Sequence, residues 1–221
     1  MHWWFNLNKR RVTLFLTFII VLTLFLVSFT VYITSPKKTI CIDAGHGGFD
    51  GGAVSNDIVE KDITLNASLI LGRMLEDTGY SVIYTRVKDE SLSSDKVTDM
   101  KNRLKIINKK SNILYISLHA NKYPSNIVHG AQSFYSDKHP LSKALANSIQ
   151  DYLLQEDKTN KRIAKLIKDK YITDNALIPG VIVELGFMSN EFDLNIMTNE
   201  KTLEYRCLMI YLGILKYLEN N

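Results

Sequence analysis

Four residues of this chain carry side chains suited to hydrolytic chemistry and stand in comparable places: His46, Glu60, His119 and Glu184. His46 closely follows the apolar run T-I-C-I-D, His119 follows I-L-Y-I-S-L, and Glu184 follows V-I-V. Glu60 opens a stretch with helical spacing. Two imidazoles and one carboxylate form a known zinc set, with a fourth position left for water. Zinc so held acidifies that water and polarises a carbonyl. A further carboxylate, not bound to metal, is then needed to take the proton and hand it to the leaving group. Glu184 is the candidate, because V-I-V-E-L-G-F is an apolar setting where desolvation and a nearby cation act oppositely on its pKa. Each residue also has a plainer reading. A histidine after a strand is commonly a satisfied polar group, Glu60 could complement a helix dipole, and Glu184 could pair with a basic side chain. Residue types alone leave both readings open.

Those residues must be positioned by elements, and the pattern supplies them. Thr39 to Asp43 reads as a buried strand running into the glycine-rich turn Gly45-His46-Gly47-Gly48. From Glu60 the period changes to that of a helix, ending at Thr78-Gly79. Further strands are expected at Ser81–Thr85, Ile113–Leu118, Ala131–Tyr135 and Val181–Val183. Further helices are expected at Met100–Asn108, from Pro140 to about Leu154, and at Leu203–Leu218. The basic stretch from Gln155 to Asn175 suggests a short helix, Arg162 to Lys168, and a short strand near Tyr171. Lys158 to Lys170 reads as a solvated face that could also touch an anionic ligand. Strands alternating with helices predict an α/β domain of three layers on a mostly parallel sheet. In such sheets ligands gather beyond the carboxyl ends of the strands, where pieces distant in sequence converge. Cys41 and Cys207 lie in apolar segments without metal-ligand spacing and are expected as buried thiols.

The N-terminus has a different character. Lys9, Arg10 and Arg11 precede an uncharged run, Val12 to Thr34, long enough to cross a bilayer. Trp3 and Trp4 stand where an aromatic belt would lie, and the basic cluster predicts a cytoplasmic N-terminus with the rest outside. The run ends in V-Y-I-T without an A-x-A-like site, which favours an anchor over a cleaved signal peptide. The expected organisation is a cytoplasmic stub, transmembrane or signal-anchor helix and linker over 1–38, then one domain over 39–221. It would be extracytoplasmic and membrane-anchored, or secreted if the segment is cleaved. Of the 27 basic residues five lie within 1–38, which holds no acidic one, leaving 22 against 23 acidic residues. The net charge of +4 therefore belongs to the N-terminal segment and does not argue for a nucleic-acid partner.

Four blocks in order sharpen the reading: I-D-A-G-H-G-G-F-D-G-G-A (Ile42 to Ala53), Glu60-Lys61-Asp62, S-L-H-A-N (Ser117 to Asn121) and V-E-L-G-F-M-S-N (Val183 to Asn190). Together they resemble the zinc N-acetylmuramoyl-L-alanine amidases of the amidase-3 family, and the likeness runs from about Thr39 to Leu218. Tyr84-Thr85-Arg86 and Arg103 also sit where that family has similar residues. The resemblance implies a mixed sheet flanked by helices and one Zn2+ per chain held by His46, Glu60 and His119, with Glu184 catalytic. It implies hydrolysis of the amide between the lactyl group of N-acetylmuramic acid and L-alanine in peptidoglycan. Asp43 and Asn121 are candidates to orient the histidines, or to serve as a turn residue and a backbone-bonding amide. Only 64 residues separate His119 from Glu184, little room for an inhibitory-helix insertion. The small, anchored, single-domain build is most similar to the germination-specific spore-cortex amidases, whose product leads to muramic lactam. The implied partners are glycan-peptide strands and, through the N-terminal helix, the membrane; an accessory protein or homodimer is left open. A catalytically silent wall-binding scaffold and a zinc peptidase acting on the stem peptide are the rival readings.

Overall fold

The computed structural model describes residues 2–34 and 37–221, with side chains over 8–28 and 37–221. The chain forms two compact units, Met1–Lys37 and Lys38–Asn221. The first holds α1 (His2–Thr34). Its stretch Asn8–Ser28 has a mean hydropathy of 2.3 and no buried share, so apolar side chains are exposed all round it. Length and composition suit a membrane span or a signal segment. The side chains of Trp3, Trp4 and the Val31–Thr34 end of the apolar run lie outside the described residues.

In chain order the second unit contains β1 (Thr39–Ala44), β2 (Val54–Ser55), β3 (Ile58–Val59), α2 (Glu60–Asp77), β4 (Ser81–Tyr84), α3 (Lys96–Ile107) and β5 (Asn112–Asn121). There follow β6 (Gln132–Tyr135), α4 (Ser142–Glu156), β7 (Lys165–Leu166), α5 (Tyr171–Asn175), β8 (Gly180–Phe187), α6 (Glu191–Thr198) and α7 (Glu200–Asn220). Six strands make one mixed sheet in the order β4-β1-β5-β8-β6-β7. The first four run parallel, β6 is antiparallel to β8, and β7 is parallel to β6.

Alternation along the strands gives the sheet two unlike faces. Ile40 and Ile42 of β1, Leu114, Ile116 and Leu118 of β5, and Val181 and Val183 of β8 are fully buried. They share one large core with Leu71 and Leu75 of α2, Leu145 and Ile149 of α4, and Ile210 and Ile214 of α7. On the other face, Cys41 and Tyr115 form a small buried cluster with Ile107, Ile172 and Ala176 beneath α3 and α5, with Met100, Leu104, Ile106 and Ile178 packed against it half-buried. Further along that thin face stand the polar residues Asp43, Ser117, His119 and Glu184. Strand register puts Asp43 beside Ser117 and His119 beside Glu184. Both cysteines are buried and free, and burial raises both thiol pKa values.

The basic stretch departs from expectation. Residues 162–168 form no helix. Arg162 is held by the carbonyl of His129 and by Gln132 Oε1, Ile167 N donates to Tyr135 O, and Lys165–Leu166 pair with β6 as an edge strand. Tertiary hydrogen bonds outweigh the weak local helical preference there. The expected strand near Tyr171 is instead the short helix α5. Helix α4 starts at Ser142, two residues after Pro140. The unanticipated helix α6 has a legible start: Asn190 caps it by accepting from Asp193 N at 3.0 Å, and Glu191 and Asp193 fill its acidic first turn.

Candidate metal centre

His46 sits just past β1 in a loop that side chains hold rigidly from beneath. The buried Arg103 guanidinium donates to Asp43 Oδ1 (2.9 Å) and Asp99 Oδ2 (2.7 Å), and to the carbonyls of Ala44 and His46. The buried Arg86 donates to Ala44 O, Gly45 O and Lys61 O, and Thr64 Oγ1 donates to Gly45 O at 2.7 Å. Two cations therefore grip three successive carbonyls. His46 takes the left-handed conformation at φ 61°, which a non-glycine residue adopts only when its surroundings over-determine it. Gly45 makes room next door: a Cβ there would lie 2.4 Å from His119 Cε1.

Glu60 is aimed by the β2–β3 hairpin. Asn56 and Asp57 both have positive φ (49° and 62°), the signature of a tight two-residue turn that matches strand twist. The hairpin delivers Glu60 as the first residue of α2, with its backbone N–H on Ala53 O. Oε2 accepts from Ala53 N (2.8 Å) and Oε1 from Ala120 N (3.0 Å), so the carboxylate is fixed at both ends. A Cβ at Gly52, where φ is +72°, would stand 2.6 Å from Glu60 Oε2 and 2.8 Å from His46 Cδ2.

Three sequence candidates thus converge. Glu60 Oε1 lies 3.1 Å from His46 Nε2 and 3.0 Å from His119 Nδ1. The two rings stand edge to face with centroids 5.0 Å apart. One ligand atom from each residue falls within 4.8 Å of the others, so the group could hold a metal ion. The two separations from Glu60 Oε1 are close to the roughly 3.3 Å between ligands bonded to zinc at about 2.0–2.1 Å in a tetrahedron. Burial works against charge on Glu60, but hydrogen bonds from His119 and His46 hold its pKa well below the usual carboxylate range. Burial likewise opposes charge on His119, and the Glu60 hydrogen bond with the neighbouring charge of Glu184 outweighs it and raises its pKa.

The fourth candidate, Glu184, is the register partner of His119 on the adjacent strand and shares its face. It lines, with His46 and His119, a cavity of about 220 Å³ whose far wall is α3 and the 167–172 segment. Glu184 Oε2 is closed off from solvent and has no hydrogen-bond partner among the described residues. Burial raises its pKa, opposed by His119 and assisted by Glu60. Neither His119 nor Glu184 follows its strand, since β5 and β8 both continue past them.

The sequence pattern of the amidase-3 family, described as N-acetylmuramoyl-L-alanine amidase, matches residues 40–216. This chain belongs to that family. Among relatives, the germination-specific N-acetylmuramoyl-L-alanine amidase of Bacillus subtilis is 38% identical over 188 residues, covering 81% of this chain and 79% of its own. Among solved structures, the CwlD amidase of Clostridioides difficile, in complex with the GerS lipoprotein, matches at a TM-score of 0.79 and 38% identity. It covers 84% of this chain and all of its own. An N-acetylmuramoyl-L-alanine amidase from Clostridium difficile 630 matches at a TM-score of 0.77 and 26% identity, over 85% of this chain and all of that one.

Around the amidase's site the orienting residues differ from expectation. Asp43 touches neither histidine by hydrogen bond; it accepts from Thr85, Arg103 and Ser117. The Asn121 side chain accepts from Lys122 N instead. The carboxylate that faces the outer nitrogen of a ring is that of Asp50, whose Oδ2 lies 3.1 Å from His46 Nδ1, at ion-pair distance but without hydrogen-bond alignment, and equally close to Lys96 Nζ. Its position four residues after His46, inside the G-G-F-D-G-G turn, is the signal that could have identified it.

Proposed function

We propose that His46, Glu60 and His119 of this amidase hold a single zinc ion and that Glu184 is its proton-transfer group. Their substrate is the amide between the lactyl group of N-acetylmuramic acid and L-alanine. The observation that carries this reading is the meeting of two imidazole nitrogens and one carboxylate oxygen, with Glu184 Oε2 unpartnered beside them. Bound there, zinc would supply a Lewis acid for the scissile carbonyl and acidify water. Glu184 takes the proton of the attacking water at its free oxygen and returns it to the departing alanine nitrogen. Its raised pKa suits that double role, because a group that must both accept and donate works best near the operating pH. Glu60 is assigned to the metal instead, its carboxylate held in place by the N–H groups of Ala53 and Ala120.

The likeness to a germination-specific amidase and to CwlD supports a role on spore cortex, where peptide-free muramic acid leads to muramic lactam. We extend the GerS complex of the Clostridioides difficile protein to an accessory partner for this chain as well. The exposed apolar helix α1 supports membrane anchoring outside the cytoplasm, as the segment preceding a catalytic domain over 39–221. The test is mass spectrometry of cortex peptidoglycan digested by the zinc-loaded chain. Free lactyl carboxylate with new L-alanine amino ends is expected, whereas released D-alanine would mean a stem peptidase. Glu184→Gln should keep about one zinc per chain and lose at least 100-fold in kcat; normal digestion by that variant removes Glu184 from the mechanism.

A further inference from the structure

We infer that Lys170 is the specificity determinant for a free carboxylate on the stem peptide, and so marks the leaving-group side of the cavity. The inference rests on the amidase reading of the site. Three cationic side chains line the cavity: Lys96, Arg103 and Lys170. Arg103 is buried and spends its donors on Asp43, Asp99 and two backbone carbonyls. Lys96 is paired with Asp50 at 3.1 Å. The ammonium of Lys170 has no ion-pair or hydrogen-bond partner among the described residues, and the residue is exposed. It stands near enough to Glu184 for their charges to interact. Among the described residues the only polar contacts of Lys170 are made by its backbone, which hydrogen-bonds within the first turn of α5 and so fixes where the side chain starts.

The substrate's own charge then decides what such a cation can meet. The hexosamines are N-acetylated, and the lactyl carboxyl is tied up in the bond to be broken. Every formal negative charge on the uncleaved strand therefore belongs to the peptide. In the common stem the residue after L-alanine is D-glutamate linked through its side chain, which leaves an α-carboxylate about two residues, or roughly 7 Å, from the scissile bond. A cavity of about 220 Å³ is small beside the pockets that enclose whole ligands, so it takes the reacting stretch and its nearest neighbours only. A carboxylate that close to the scissile bond must pass the cavity wall. Without a cation there it would be left beside Glu184, a like charge.

The experiment uses the full, zinc-loaded chain in detergent at low ionic strength, with two glycan fragments that differ only in bearing D-glutamate or D-isoglutamine after L-alanine. KM and kcat are measured on each. Wild type should prefer the carboxylate form through KM, and Lys170→Met should cut that preference about tenfold. Lys170→Arg should retain it, and Lys168→Met, an exposed charge outside the cavity, should leave it intact. An equal change on both substrates in Lys170→Met, or an equal loss of preference in Lys168→Met, overturns the assignment. If wild type releases L-alanine amino ends from neither fragment, the amidase reading falls and takes this inference with it.

Discussion

Asp50 and Asp43 both lie within a few residues of His46, yet they do different things. Asp50 faces the outer nitrogen of the His46 ring, which leaves Nε2 turned toward Glu60. Such partners fix ring orientation and ligand basicity, so Asp50→Asn should weaken zinc affinity by about 10–100-fold in a competitive chelator titration. Unchanged affinity would reduce Asp50 to a turn residue. Asp43 is a structural anion. Burial pushes its pKa up, but Arg103 and the hydroxyls of Ser117 and Thr85 more than compensate, leaving it below the ordinary value. A depressed carboxylate stabilises the fold above its unfolded pKa of about 3.9, and that contribution is lost as pH falls through the folded value. Thermal midpoints should therefore drop more steeply below about pH 4 in wild type than in Asp43→Asn; parallel curves would contradict the assignment. The four candidates were legible only through the motif blocks around them, since imidazole and carboxylate near apolar strands leave a plainer reading open. The grip of Arg86 and Arg103 was not, since a guanidinium that binds carbonyls 41 to 59 residues away leaves no local pattern.

Among the elements, β8 is held at its far end by a buried network. Arg206 of α7 donates through Nε to both oxygens of Glu156 on α4 at 3.0 Å, and through Nη1 to Leu185 O. The fully buried Asp193 accepts from Phe187 N and Gly130 N. The backbone on both sides of Gly186, two residues beyond Glu184, is thereby pinned. Arg206→Met leaves the Glu156 carboxylate buried without its partner and should cost about 3–5 kcal/mol of stability, read by denaturant unfolding. A loss under 1 kcal/mol would show that the network contributes little. Strong periodicity made α2, α4 and α7 legible, and apolar runs made β1, β5 and β8 so. The 155–175 stretch resisted because its conformation is set by hydrogen bonds to β6 and to the 129–132 segment rather than by its own residues.

At the scale of the molecule, α1 presents exposed apolar side chains throughout residues 12–27, with exposures such as 65% at Leu24 and 64% at Val21. A helix of that kind needs apolar surroundings. The full chain should stay with membranes through an alkaline carbonate wash, and protease added outside spheroplasts should reach residues 38–221. Recovery of a soluble chain whose N-terminus begins near residue 35 would show instead that the segment is removed.

The two faces of the sheet bear unequally on the protein's history. The thick layer of α2, α4 and α7 supplies most of the apolar burial, while the thin layer of α3, α5 and the 167–172 segment walls the cavity. Apart from Asp99 and Arg103, which brace the loop of His46, substitutions in the thin layer disturb few buried contacts, so lineages can drift there and acquire new preferences while folding is safeguarded from behind. Relatives should diverge fastest along that wall, and a search for what distinguishes one wall-cutting enzyme from its cousins should begin with it.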